Sequence, residues 1–383
     1  MDDGTRPPVP PGEAPTAVRV QGWAASAWQR LRIQLHYLRT FLRPDVILLE
    51  GRTDTGRPLS ILRGGTRDRQ TAYFLAGQVF TELRAERHLG RAWLWALPAL
   101  ARRNGCAFVL FRVSRRRAAL ARRILRYAEG SELHLPAFVG AVVDVTDRSR
   151  LLHSRDVQND VRRIRNRGFR FTISTSKRDL ETFVRDYRDP YVNGAHGFAA
   201  IGIDFPALFA SCAQDRMPAP WVLLKVELDG QWVAGDLLVS GPGRAALMEV
   251  GVKDADAALV KRGAVQAAYW LSLEYLHSQG HQWVNLMHVP PFLRNGVVQY
   301  KLKFSPQLRA VRPNDGFLLL FDRDNEAARE TLLREPVLAT KGDRLRAVWF
   351  DLDPDAPPNR SLVPVERLTT AGVIDVERVL LDG

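Results

Sequence analysis

The residues best placed to do chemistry lie between Trp221 and Lys303. Lys261-Arg262-Gly263-Ala264 stands where a strand-like run gives way to a helical one. The first N–H groups of a helix have no partner inside it, and the helix dipole is positive there. With two added cations, such a junction suits a phosphate group. The plainer alternative is that Lys261 and Arg262 are solvated charges and Gly263 allows close packing. Further on, Asn295-Gly296 reads as a turn leading into an alternating run to Phe304. On a strand Tyr300 and Lys301 would point to opposite faces, so only one could enter a cleft, and Lys301 is the expected one. Glu249, Val250 and Gly251 end an earlier strand-like run, and His288 follows a later one. His288 is placed where a base or proton relay could act. A strand-surface carboxylate at Glu249 and a satisfied turn histidine at His288 are the plain alternatives.

Positioning these residues takes a small set of elements. Trp221–Leu228, Gln231–Ser240 and Arg244–Val252 alternate like strands, separated by Asp229-Gly230 and by Gly241-Pro242-Gly243. From Ala258 to Gln279 the period becomes helical, with Val265, Ala268, Tyr269, Ser272 and Leu276 on one stripe and Gly280 as the stop. Gln282–Met287 is the next strand. Because the helix is a crossover, this strand should lie parallel to Arg244–Val252. Free backbone groups of the two flanking strands would then be open to an extended ligand.

The run Tyr300-Lys301-Leu302-Lys303-Phe304, downstream of the meander and the Lys-Arg-Gly helix, resembles the C-terminal signature of FemAB-like acyltransferases of the GNAT superfamily, which include the BioF2-like acetyltransferase domain. A second point of similarity is the basic stretch from Asp156 through Arg162, Arg163 and Arg167 to Gly168-Phe169. Together the matches cover about Val142 to Arg309. The resemblance implies a mixed α/β fold of two GNAT-like lobes in tandem. On that division residues 1–16 are a tail, 17–150 the N-terminal lobe, 151–350 the acyltransferase lobe and 351–383 an extension. It also implies that Lys301, with Tyr300 beside it, serves the reacting carbonyl or leaving group. Ala264 and Gln266 stand where ordinary GNAT enzymes have further glycines, which leaves the donor open.

Elsewhere the sequence sets bounds. Lys and Arg number 55 against 42 Asp and Glu, a net charge of +13 over 383 residues. That balance favours anionic partners. Two cysteines, Cys106 and Cys212, support neither a disulfide framework nor a metal site, and a reducing cytoplasm is the simplest setting. No apolar run approaches the ~20 residues of a membrane span. The basic amphipathic stretch Trp23–Leu42, with Leu31, Leu35, Leu38 and Leu42 at helical spacing, is expected to pack on its own core, with an anionic membrane as the alternative. Strands are expected at Asp45–Gly51, Leu59–Leu62, Thr71–Phe80, Cys106–Val113 and Leu133–Val145. Helices are expected at Gly90–Arg103 and at Arg115–Ala128, the latter with Leu120, Ile124 and Leu125 inward. On the helix Arg155–Arg167, Val157, Val161 and Ile164 form the apolar seam; Arg162 and Arg163 either cradle a phosphate-bearing substrate or a tRNA acceptor stem, or are merely solvated. Tyr191 and His196 fall in an expected loop, from Arg188 to Pro206, that could wall an acceptor site.

Amide formation from an activated acyl group needs a neutral amine, alignment and oxyanion stabilisation, with no covalent enzyme intermediate. The reading is an N-acyltransferase moving an acyl group from acyl-CoA to an amine on an amino sugar, amino acid or peptide precursor. The alternatives are aminoacyl transfer from charged tRNA and a non-catalytic binding or scaffold protein.

Overall fold

A computed structural model describes residue 32 and residues 35–65, 77–125, 131–197, 220–352 and 365–381. The fold is mixed α/β. In the first half β1 (Asp45–Arg52) and β2 (Pro58–Gly65) form a hairpin flanked by β3 (Glu82–Arg91). After α1 (Leu97–Arg103), β4 (Phe108–Val113) returns parallel to β2; α2 (Arg115–Leu125) and the long β5 (Glu132–Asp144) follow. In the second half α3 (Arg155–Asn166) leads to β6 (Arg170–Ser174). Next come α4 (Lys177–Thr182), a π-helical turn (Phe183–Arg188) and α5 (Asp189–His196) without interruption. The meander is β7 (Trp221–Leu228), β8 (Gln231–Gly241) and β9 (Arg244–Val252). Two helices, α6 (Ala257–Lys261) and α7 (Ala264–Ser278), carry the chain across to β10 (Trp283–Val289). Then follow α8 (Gly296–Leu302), β11 (Gln307–Phe321), α9 (Glu326–Arg334), β12 (Val337–Lys341), β13 (Arg344–Asp351), α10 (Val365–Thr370) and β14 (Val376–Leu380).

Among the described residues eleven strands make one sheet, in the order β3-β1-β2-β4-β11-β5-β10-β9-β8-β7-β6. A second sheet of three strands runs β12-β13-β14, with β14 parallel to β13. β5 lies near the middle of the large sheet because both its faces are apolar, and it pairs antiparallel with β10 on one side and β11 on the other. α7 is buried nearly all round, through Ala264, Ala267, Ala268, Trp270, Leu271, Leu273 and Leu276, as a helix sandwiched inside a domain must be. α3 buries Val157, Val161 and Ile164 as expected.

Several expectations need correction. Asn295–Phe304 is not a strand but contains the helix α8. Asn295 is its N-cap, its Oδ1 accepting from the N–H of Val297 at 2.9 Å and of Val298 at 3.3 Å. The Arg188–Pro206 segment is helical through His196 rather than a loop, with Pro190 in the first turn where its missing N–H costs nothing. Gly90–Arg103 is the end of β3, a short 3₁₀ turn and α1. The first residues of the expected strand Thr71–Phe80, and residues 1–16, lie outside the described residues; Gly77–Phe80 is not strand. Leu120 points outward, 46 % exposed, and so do Leu35 and Leu38.

Candidate active site

β9 and β10 are parallel neighbours for three residue pairs only: Arg244 with Trp283, Ala245 with Val284 and Ala246 with Asn285. Beyond Ala246 the edge of β9 facing β10 has no strand partner among the described residues. Two irregularities accompany the split. β9 bulges at Met248, between the pairs Leu237–Glu249 and Leu238–Leu247 of the β8 ladder. β10 slips against β5 between Asn285 and His288, with Met287 at φ 63° and the Asn285 Oδ1 accepting from the Met287 N–H at 2.9 Å. Such bulges bend a strand away from its neighbour and re-aim its groups.

Lys301 reaches this region from α8. Its ammonium donates to the carbonyl of Leu286 and, at 3.4 Å, to that of His288, the carbonyls on either side of the Met287 slip. The side chain is 3 % exposed. Burial strips its hydration and pulls its pKa down to about 8, while Asp236 and Glu249 pull the other way. Asp236, on β8, is itself buried. Its Oδ2 accepts from the Ser272 hydroxyl of α7 at 3.0 Å, and among the described residues its Oδ1 has no partner. Burial holds its carboxyl well above the usual range, against the pull of Ser272 and Lys301. Glu249 is raised by burial too, opposed by Arg188, whose Nε donates to it at 3.0 Å. Arg188 also pairs with Asp189 at 2.9 Å. The site is therefore a buried ammonium facing two reluctant carboxylates, one of them already claimed by an arginine.

Gly251 explains how that arginine gets so close. A Cβ at Gly251 would stand 2.7 Å from the backbone of Tyr187 and Arg188, so the π-helical turn rests directly on β9. Gly251 and Val250 lie in the part of β9 without a β10 partner, but one face of Gly251 is covered by this turn.

The crossover entrance is broken in two, where a single helix Ala258–Gln279 is expected. α6 stops at Lys261, Arg262 caps it, and Gly263 at φ 94° turns the chain into α7. Lys261 and Arg262 are exposed, and Ala264 is buried as the first residue of α7. The Arg262 guanidinium pairs with Asp229 at 3.3 Å, and Arg167, from the end of α3, donates to the Arg262 carbonyl. The Gln266 Oε1 is buried without a partner among the described residues. Two helix termini and three cations thus converge at the mouth of the crossover.

Not every expected residue joins the site. The His288 ring stacks on Phe138 of β5, centroids 5.4 Å apart, on the side of β10 away from β9. Its carbonyl, not its imidazole, serves Lys301. Tyr300 packs edge-on against Tyr269 at 5.2 Å and Phe304 at 5.5 Å, under the Lys303 ammonium, and burial raises its phenol. It points away from Lys301 as helical neighbours do, not by strand alternation. Tyr191 is half-buried against the same core, its phenol raised by burial. The side chain of His196 lies outside the described residues. Arg162 and Arg163 are exposed on α3, Arg162 bonding only to Asn159 at 3.1 Å among the described contacts. Arg167, about one turn on, is the arginine that reaches the crossover. Asp236 and Arg188 were not singled out from the sequence, and Ser272 and Arg167 were read only as parts of the crossover stripe and the basic stretch. A lone carboxylate inside the apolar run Val233–Val239 is the signal that could have found Asp236.

Residues 153–302 match the family described as "Acetyltransferase (GNAT) domain". The segment is a GNAT acetyltransferase domain. It opens just before α3 and closes at the last residue of α8, so Arg188, Asp236, Glu249, Lys301 and the crossover all lie within it. No curated protein sequence matches the chain. Among solved structures, FemX covers 74 % of this chain and 85 % of its own at 11 % identity and a TM-score of 0.37. L-PGS from Bacillus licheniformis covers 74 % and 86 % at 14 % identity and 0.33. A tandem GNAT protein from the clavulanic acid biosynthesis pathway covers 69 % and 78 % at 13 % identity and 0.30. Likeness at this level says nothing about substrate. Among the described residues, no cluster of His, Cys, Asp or Glu could hold a metal ion, and no helix is long and apolar enough to cross a membrane.

Proposed function

We propose that the GNAT domain is an N-acyltransferase that takes an acyl group from acyl-CoA and passes it directly to an amine. The observation that carries this reading is the parting of β9 and β10 after three pairs, with the Lys301 ammonium lodged at the parting. Acyl-CoA fits a site of two parts. Its phosphates suit the mouth of the crossover, where Lys261, Arg262 and Arg167 surround the start of α7. Its amide arm suits the side of β9 from Leu247 to Val252 that faces β10, where no strand among the described residues pairs with it. The thioester carbonyl then falls near Lys301.

An ammonium has three N–H donors, and two of Lys301's are held by the carbonyls of Leu286 and His288. Those two bonds fix its position in advance. The third donor is proposed to meet the oxygen that becomes negative when the amine attacks, where a preset positive group lowers the barrier most. Asp236 and Glu249 keep the ammonium charged despite its burial. As the carbon–nitrogen bond forms the carbon–sulfur bond breaks, and the proton given up by the amine ends on the departing thiolate, so CoA leaves as its thiol. The amine acceptor would be an amino sugar, an amino acid or a peptide precursor.

A second reading uses aminoacyl-tRNA as donor, favoured by the exposed Arg162, Arg163 and Arg165 along α3, which offer phosphate contacts without sequence preference. Thermal unfolding separates the two. With acyl-CoA as donor, CoA at about 100 times its dissociation constant should stabilise the chain by about 2.7 kcal/mol, and acetyl-CoA should acylate members of an amine panel. No response to CoA, with salt-sensitive binding of tRNA instead, would transfer the proposal to the second donor. Response to neither would leave a binding protein.

A further inference from the structure

The outer face of the first half carries a second surface with a consistent chemistry. Residues 35–42, the Trp93–Ala96 turn, α1 and α2 form one helical layer over the β1, β2 and β4 side of the sheet. They bury Phe41, Leu94, Leu97, Ala101, Ala118, Ala121 and Leu125 in a shared core. Their outward side should then be polar. Instead Leu35 is 57 % exposed, Trp95 55 %, Tyr37 55 %, Leu120 46 % and Trp93 45 %. Trp93 and Trp95 stack in the open, centroids 4.6 Å apart at 11°, with the Arg43 guanidinium 5.7 Å over Trp93.

Charge follows the same pattern. Segments 35–43, 93–104 and 115–125 contain no aspartate or glutamate, yet they carry Arg39, Arg43, Arg102, Arg103, Arg116 and Arg123 at exposed positions. Glu132, from the start of β5, pairs with Arg122 at 2.7 Å. Between α1 and α2 lies a depression of about 510 Å³, lined by Trp95, Pro98, Ile124 and Leu125 with Arg102 and Arg123 among them.

We infer that this helical layer docks on an anionic lipid bilayer, with Trp93, Trp95, Leu35 and Leu120 entering the interface and the depression taking a phospholipid headgroup between Arg102 and Arg123. Exposed apolar and aromatic side chains set among arginines fit the headgroup boundary, where apolar area and opposite charge both contribute. Nucleic acid would use the arginines but has no use for exposed leucines. The surface lies outside the GNAT domain, so the inference stands or falls independently of the acyl donor.

Vesicle flotation of the full chain tests it, using phosphatidylglycerol–phosphatidylcholine vesicles against pure phosphatidylcholine. The chain should bind the anionic vesicles, and brominated lipid should quench tryptophan fluorescence. Trp93→Ser with Trp95→Ser, and separately Arg102→Glu with Arg123→Glu, should each weaken binding by about tenfold or more. Circular dichroism of both double variants checks their folding, and unchanged spectra exclude misfolding as the cause. Equal binding to neutral vesicles, or undiminished binding by both double variants, overturns the inference. So does binding of RNA that falls with the arginine changes while vesicle binding is absent.

Discussion

At the scale of single residues, the ionisation of Lys301 has a sign that can be measured. Its ammonium form prevails below about pH 8 and is lost above it. If that charge stabilises the reacting oxygen, transfer to an aromatic amine, whose own ionisation lies well below this range, should fall as pH rises through about 8. Lys301→Met should lower the rate by about a hundredfold or more, the scale of losing one preset donor. Lys301→Arg should keep the charge and lose the limb near pH 8, because a guanidinium stays protonated. Stability moves the other way. Between about pH 8 and the ordinary lysine value of 10.5 the unfolded chain holds a proton that the folded chain has released, so this group makes stability rise with pH there. Urea unfolding of wild type and Lys301→Met at pH 7.5 and pH 10 should show that slope in the wild type alone. Asp236→Asn removes a charge that supports the ammonium, and the activity limb should move to lower pH. An unmoved limb would mean that Asp236 does not sense Lys301.

At the scale of elements, the site depends on how close the π-helical turn comes to β9. Gly251→Ala would place a methyl 2.7 Å from the Tyr187 and Arg188 backbone. Overpacking of this kind costs about 1–3 kcal/mol. The turn should shift, loosening the Arg188–Glu249 pair and lowering both the melting temperature and the rate. Had Gly251 served only to admit a donor, the rate alone would fall. The β7–β9 meander, the helical crossover and the parallel β10 were legible in the sequence, because each has a clean period and a turn signal at its end. α8 was not. Val298, Tyr300, Leu302 and Phe304 alternate like a strand, while Val298 and Leu302 are also four apart, and the second spacing is the one the backbone adopts. Asn295 read as a turn residue and is a helix cap; the two roles share a residue type. Lys301 was found, but its position was reached by a wrong element. β3 escaped because an edge strand so rich in charge, Glu82 to Arg91, has no apolar alternation to read. The split of β9 from β10, the Met248 bulge and the Arg188 contact are tertiary facts that no local pattern encodes.

At the scale of the whole molecule, β11 ties the two halves together. Its Gly316–Phe321 part pairs with β4, and the strand from Gln307 to Leu320 pairs with β5, which in turn pairs with β10 beside the split. The first half is thus completed by a strand that follows the GNAT domain in the chain. Gly316 lies at the joint: a Cβ there would stand 2.5 Å from the Leu135 carbonyl and 2.8 Å from the His134 ring. Gly316→Val should therefore disturb β4, β5 and β11 at once. If the sheet unfolds as a unit, the transition seen by tryptophan fluorescence and the transition seen by far-ultraviolet circular dichroism should stay coincident and shift down together. Should the two probes separate, with one transition shifted and the other left in place, the sheet would be continuous in its hydrogen bonds and yet divided in its energetics. Then the GNAT domain would hold its site independently of the half that carries the arginine-rich face.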